Sequence, residues 1–326
     1  MRLFRLVLLL GGVRVLLMAG ALATAQQLPD APTSQSPGQK STSSKPTEPS
    51  LPAQQSAQPA QQAPQQNEKA LIPAAAERHF HNGVLYERDG EVDSAIAEYK
   101  DAIKEYPDYE AAHYNLGRLY IDKHGYADAV AELKVAVSLK PSDADAHNNL
   151  GLALKRNGDL KGAVAEYTEA VRLNPKMATA QNNLANVLYA RRDFAGAVQH
   201  YRAALALDPK NAQTRMNLGS VLDDAGKTEE AIVEYKEALK LDPKNASVHY
   251  NLSIVYQKKK DMPAAIAELK EAAKLSPDWP TPHLMLANLL KDSDPKAALD
   301  ECNAADGLTH DAKLHDKCME LQKKIQ

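Results

Sequence analysis

Residues 144–177 read ADAHNNLGLALKRNGDLKGAVAEYTEAVRLNPKM, and the same skeleton returns every 34 residues on both sides of them. The glycine or its small substitute recurs as Gly83, Gly117, Gly151, Ala185, Gly219, Ser253 and Ala287. An alanine follows twelve residues later as Ala95, Ala129, Ala163, Ala197, Ala231 and Ala265, and a proline closes each unit at Pro107, Pro141, Pro175, Pro209, Pro243 and Pro277. A fixed period of this size means a stack of equivalent supersecondary units, none of which buries its apolar face alone. Such a stack offers a surface for holding something, so binding is expected before catalysis.

Each unit reads as two helices. Leu160, Ala163, Val164, Tyr167, Ala170 and Val171 fall at spacings of three and four, one apolar face of a 3.6-residue period, and Ala146, Leu150, Ala153 and Leu154 do the same for the helix before. Between them Gly158 suits a left-handed turn and Asp159 suits a cap for the second helix, as do Asp193 and Asp261 in later units. Asp143, Asn211 and Asn245 stand ready to cap first helices, and the closing proline ends each second helix.

The second unit places His113, Leu116-Gly117, Tyr120, Ala129, Leu133, Ala136 and Pro141 at the spacing of the tetratricopeptide repeat (TPR), and the fifth gives Leu218-Gly219, Leu222, Ala231, Tyr235, Ala238 and Pro243. The chain therefore resembles TPR proteins. The resemblance implies an all-α, right-handed superhelical solenoid: six repeats over 76–279, a degenerate seventh over 280–309 that loses one residue between its helices, and a capping helix over 311–325. It specifies fold far more than function, because one scaffold serves many partners.

The N-terminus is a different kind of sequence. Arg2 and Arg5 precede Leu6–Leu10, and an apolar run from Val15 to Ala25 ends in Ala23-Thr24-Ala25. This pattern describes a secretory signal peptide over 1–25, cleaved after Ala25, and implies an exported protein, periplasmic or extracellular. The alternative, an uncleaved membrane anchor, places Arg14 within the span at about 2.5–3.5 kcal/mol for insertion. No cysteine follows the cleavage region to carry a lipid. Residues 26–70 are rich in Gln, Pro, Ser, Ala and Thr and read as a disordered linker.

A net charge of −3 supplies no basic excess for nucleic acid. Cys302 and Cys318, the only cysteines, are expected to form a disulfide in an exported protein, with two separate buried thiols as the alternative. His79, His113, His147, His249 and His283 share one repeat position, that of the family's large packing residue, and none has a second ligand at helical spacing, so no metal is expected. Glu98, Glu132, Glu166, Glu234 and Glu268 recur on the second helices and read as a solvated face. No phosphate loop, nucleophile elbow or zinc-protease motif is present, and no catalytic domain is expected to accompany the repeats; the chain is expected to be neither an enzyme nor a holder of a cofactor.

Asn115, Asn149, Asn183, Asn217 and Asn251 share the position before the first-helix leucine. In the TPR superhelix the first helices line the concave groove, so the resemblance sets these amides in a row along it. The TPR arrays of the O-linked GlcNAc transferases hold extended peptides with a similar ladder. A primary amide offers donor and acceptor to a peptide main chain. The competing reading is that asparagine here positions helices. Flanking positions that would confer selectivity are Tyr114, Arg118, Asn148, Leu152, Arg156, Asn182, Asn186, Tyr189, Met216, Ser220, Tyr250 and Ile254. The lysine–asparagine pair with which another TPR group clamps a C-terminal carboxylate is replaced by Phe80/Val84, Tyr114/Arg118 and Asn148/Leu152, so that specificity is not implied. The expected function is a scaffold binding a protein or extended peptide; the rival is a structural protein that self-assembles through its stack or terminal helix.

Overall fold

A computed structural model describes residues 71–309 and 311–325; the signal peptide and the linker read above lie outside them. Fifteen helices follow in order, and there is no strand among the described residues. First and second helices alternate as α1 (Ala74–Arg88) and α2 (Val92–Glu105), α3 (Glu110–Asp122) and α4 (Tyr126–Leu139), α5 (Ala144–Arg156) and α6 (Leu160–Leu173), α7 (Ala178–Ala190) and α8 (Phe194–Leu207), α9 (Ala212–Asp224) and α10 (Thr228–Leu241), and α11 (Ala246–Lys258) and α12 (Met262–Leu275). The shortened seventh pair, α13 (Pro280–Leu290) and α14 (Pro295–Thr309), is covered by α15 (Ala312–Ile325).

Local chemistry sets these boundaries. The side chains of Asp159, Asp193 and Asp261 accept hydrogen bonds from the backbone N–H three residues on, and so do those of Asn211 and Asn245. Asp143 accepts from both Asp145 and Ala146. Each satisfies a donor that the first turn leaves without a helical partner. Every second helix from α2 to α12 ends two residues before its proline, because the residue ahead of a proline is pushed to extended backbone. The turn within each of the first six units holds one left-handed residue. Gly90, Gly158 and Gly226 supply it in alternate units, whereas His124, Arg192 and Lys260 adopt it in the others at φ of 61°, 66° and 61°.

The core is a seam between the two helices of each unit. Tyr99, Tyr167, Tyr201 and Tyr235 are fully or almost fully buried on the second helices, with Leu133 and Leu269 taking their place in units two and six. A side chain at Gly151 would begin 2.8 Å from the Tyr167 ring, so glycine lets the helices close. Consecutive first helices also touch across units, at α3/α5, α5/α7, α7/α9 and α9/α11, and no pair of second helices comes as close. The stack is therefore tightest along its first helices, which puts them on its inner face. At the far end Cys302 on α14 and Cys318 on α15 are joined in a disulfide, their Cα atoms 5.5 Å apart, beside buried Ala305 and Leu314.

Candidate partner-binding groove

Histidine and glutamate, read separately from the sequence, belong together. His79, His113, His147 and His249 each place Nδ1 at 2.6–2.7 Å from the glutamate nineteen residues on, Glu98, Glu132, Glu166 and Glu268. His283 does the same with Glu301, one residue nearer because the seventh unit is shorter. Unit five substitutes Arg215 to Glu234 at 3.0 Å, and unit four Gln181 to His200 at 2.7 Å. Nε2 of His113 and His147 meets the carbonyl oxygens of Pro107 and Pro141 at 2.8 and 3.1 Å. The glutamates are thus clasps between the two helices of a unit, which corrects the solvated-face reading. The signal was present in the sequence: two residue types of opposite charge recur at one period and one separation. The histidines are engaged in these clasps, and among the described residues no group of three or more metal-ligating side chains could hold an ion.

At His113 two acceptors, one at each ring nitrogen, call for a doubly protonated imidazole. Burial works against that charge at His113, yet the Glu132 carboxylate and the Pro107 carbonyl outweigh it and hold its pKa above the ordinary value. At His249 the hydrogen bond to Glu268 leads, and the pKa is again raised against burial. His200, which faces the neutral amide of Gln181, is lowered by burial.

The inner face is lined differently. Each ladder amide from unit two to unit five reaches back one unit. Asn115 donates to the Tyr99 hydroxyl at 3.3 Å, Asn149 to Tyr114 at 3.0 Å, Asn183 to the Asn148 carbonyl at 3.0 Å and Asn217 to that of Asn186 at 3.2 Å. The side-chain carbonyl oxygens of Asn115, Asn149 and Asn183 accept no hydrogen bond among the described residues, whereas that of Asn217 accepts from Gln213. Asn251 makes no side-chain hydrogen bond there. Four of these amides therefore tie units together, and four of the five, Asn217 being the exception, still present an open acceptor.

Flanking residues continue the cross-unit bonding. Arg118 pairs with Glu87, and Thr214 donates to Asn182 at 3.1 Å. Tyr189 donates to Asp224 at 2.8 Å, and Lys258 pairs with Asp223 at 2.6 Å. Asn186 also accepts from Tyr201 at 2.6 Å, and Ser220 lies 3.0 Å from the Tyr235 hydroxyl. A recess of about 300 Å³ opens where units one and two meet, lined by Val84, Glu87, Arg88, Tyr99, Asn115 and Arg118. Met216, Leu152 and Ile254 pack part-buried on the core, and Arg156 is exposed. Tyr250 departs from the sequence reading. It is 7% exposed, with its ring centroid 4.8 Å from that of Trp279, because that residue, just ahead of α13, lays its indole against it. It is a packing residue and is withdrawn from the selectivity set.

Models of the tetratricopeptide repeat match residues 80–144, 114–178 and 149–212, then 246–278, and a TPR repeat model matches 224–260. The chain belongs to the tetratricopeptide-repeat family. No curated protein matches this TPR chain in sequence. Among solved structures, MamA superposes at 25% identity and a TM-score of 0.50, over 53% of this chain and 94% of its own. YrrB, described as a TPR protein with an unusual peptide-binding site, is 23% identical with a TM-score of 0.51, covering 60% and 97%. A TPR protein from Parabacteroides merdae covers 76% and 99% at 15% identity and a TM-score of 0.57.

Proposed function

We propose that this chain is an exported scaffold that holds a protein partner, as an extended peptide segment, along the groove lined by its first helices. It does so without catalysis, metal or cofactor. The observation that carries this reading is the row of amides whose carbonyl oxygens stay open at Asn115, Asn149 and Asn183. An extended main chain presents N–H groups at regular intervals, and a row of fixed acceptors meets them without reading side chains. A fold relative with a peptide-binding site agrees with the reading. Export rests on the residue pattern at 1–25, and intact mass from the native host checks it: the mature chain begins near Gln26, whereas retention of Met1 in the membrane fraction means an anchor.

The test of the groove is the triple variant of Asn115, Asn149 and Asn183, three of the open acceptors, to alanine. Each hydrogen bond contributes about 0.5–1.5 kcal/mol, so affinity should fall by about 2–4 kcal/mol, alike for peptides of different sequence. The same amides join units, so melting falls as well, and affinity is measured on the fraction still folded. Full affinity in that fraction ends the groove reading and moves self-assembly ahead, which light scattering then decides.

A further inference from the structure

The third unit interrupts the pattern of paired groove charges. Glu87 is held by Arg118 and Asp223 by Lys258, while Asp224 accepts from Tyr189. Lys155 and Arg156 occupy the equivalent places at the end of α5, and neither side chain makes a hydrogen bond or ion pair among the described residues. Asp122, which matches Arg156 one unit earlier, pairs with neither, and Asp143 is taken by Lys140. Lys155 is nevertheless part-buried, and burial, with the Arg156 charge beside it, depresses its pKa. An ammonium held out of water next to a second cation is unfavourable until an anion arrives.

The surroundings favour that anion. Leu152 stands where Asn186 and Ser220 bond the tyrosines of units four and five, so the wall beside the cations is apolar and the Tyr167 hydroxyl beneath has no partner. A low local dielectric strengthens an ion pair formed there. The ladder also continues on both sides, with Asn115 and Asn149 before the cations and Asn183 and Asn217 after them. A bound chain therefore passes this point and does not end at it, so the anion belongs on a side chain.

Resting on the groove reading, we propose that the third unit selects the partner: the extended segment carries an aspartate or glutamate whose carboxylate is received by Lys155 and Arg156. No neighbouring groove carboxylate pairs with these cations. The complementing charge must come with the ligand.

A displayed library of random dodecapeptides, flanked by Gly-Ser on both sides, is selected on the full chain. Enriched peptides should carry an acidic residue at one fixed position. A synthetic, C-terminally amidated peptide with glutamate there should bind at least about tenfold more tightly than its glutamine counterpart. Lys155→Gln with Arg156→Gln should erase that ratio, and Lys155→Glu with Arg156→Glu should invert it toward a lysine peptide. If the double variants melt early, exposed Arg156→Glu alone carries the test and should shrink the ratio. Equal affinity of glutamate and glutamine peptides for the unaltered chain overturns this inference and leaves the groove reading standing. A selection that enriches no peptide overturns the groove reading, and this inference with it.

Discussion

The seam inside each unit and the groove along the stack are built from the same helices, yet they vary in opposite ways. Along the seam the residues repeat: glycine or a small residue against tyrosine or leucine, alanine at 95, 129 and onward, histidine or arginine clasped to glutamate. Along the groove one register position runs Val84, Arg118, Leu152, Asn186, Ser220 and Ile254, with no two alike. What recurs every 34 residues is what any two packed helices need. What changes is how one unit meets the next and what it shows to a partner. The asparagines belong to both: they recur like seam residues and bond across units like groove residues.

The sharpest way to break this contrast is at the seam. Gly151→Leu drives a side chain into the Tyr167 ring and should cost about 1–3 kcal/mol, with melting lowered cooperatively because neighbouring units lose their packing too. A melting curve that does not move would mean that the seam does not carry the stack.

Next come the clasps. Glu132→Gln removes the carboxylate that keeps His113 protonated and should cost about 1.5–3 kcal/mol at pH 6, as for a hydrogen bond to a charged group. The sign of the pH dependence follows from the raised values at His113 and His249. Their contribution is complete below the unfolded histidine pKa of 6.5 and fades as pH rises through the folded values. His200, lowered, has the opposite sign and is disfavoured by acidification below 6.5. Melting temperature should therefore fall as pH increases above 6.5, and the double variant Glu132→Gln with Glu268→Gln should flatten that fall. An identical slope in the variant would show that the clasps are not the titrating element.

How much of this was legible follows from the same contrast. Helices, caps and repeat lengths depend on neighbours within a few residues, so Asp159, Asn211 and the terminal prolines could be read directly. The clasp was present as a spacing of nineteen and was missed because each charge was considered on its own helix. Groove bonds at separations of 16–35 residues depend on how one unit is rotated on the next, and no local pattern carries that rotation. Tyr250 illustrates it: by register it is a groove residue, and only the packing at the junction with the seventh unit reveals that Trp279 covers it.

A smaller effect sits at the turns that close the seam. Arg192 holds φ at 66° where Gly158 and Gly226 hold theirs without a Cβ penalty. Arg192→Gly should relieve about 1 kcal/mol of that penalty, partly offset by the greater freedom of glycine in the unfolded chain. A thermal midpoint raised slightly, with peptide affinity unchanged, is the expected result; Gly158→Ala should move the midpoint the other way.

The smallest predicted change tests the place where seam and groove meet. The rings of Tyr167 and Tyr201 fill the same seam position and both are fully buried. Their hydroxyls reach toward the groove, where Tyr201 donates to Asn186 at 2.6 Å and Tyr167 finds no acceptor because Leu152 replaces the asparagine. A buried hydroxyl without a partner keeps its desolvation cost and gains nothing in return. Tyr201→Phe should therefore cost about 0.5–1.5 kcal/mol, while Tyr167→Phe is neutral within a few tenths of a kcal/mol or slightly stabilising. Leu152→Asn should supply the missing acceptor, after which Tyr167→Phe becomes costly in that background. A double-mutant cycle on Leu152 and Tyr167 measures the coupling directly. If Tyr167→Phe already costs as much as Tyr201→Phe, its hydroxyl has a partner in solution, and the apolar wall described beside Lys155 and Arg156 is wetter than its residues imply.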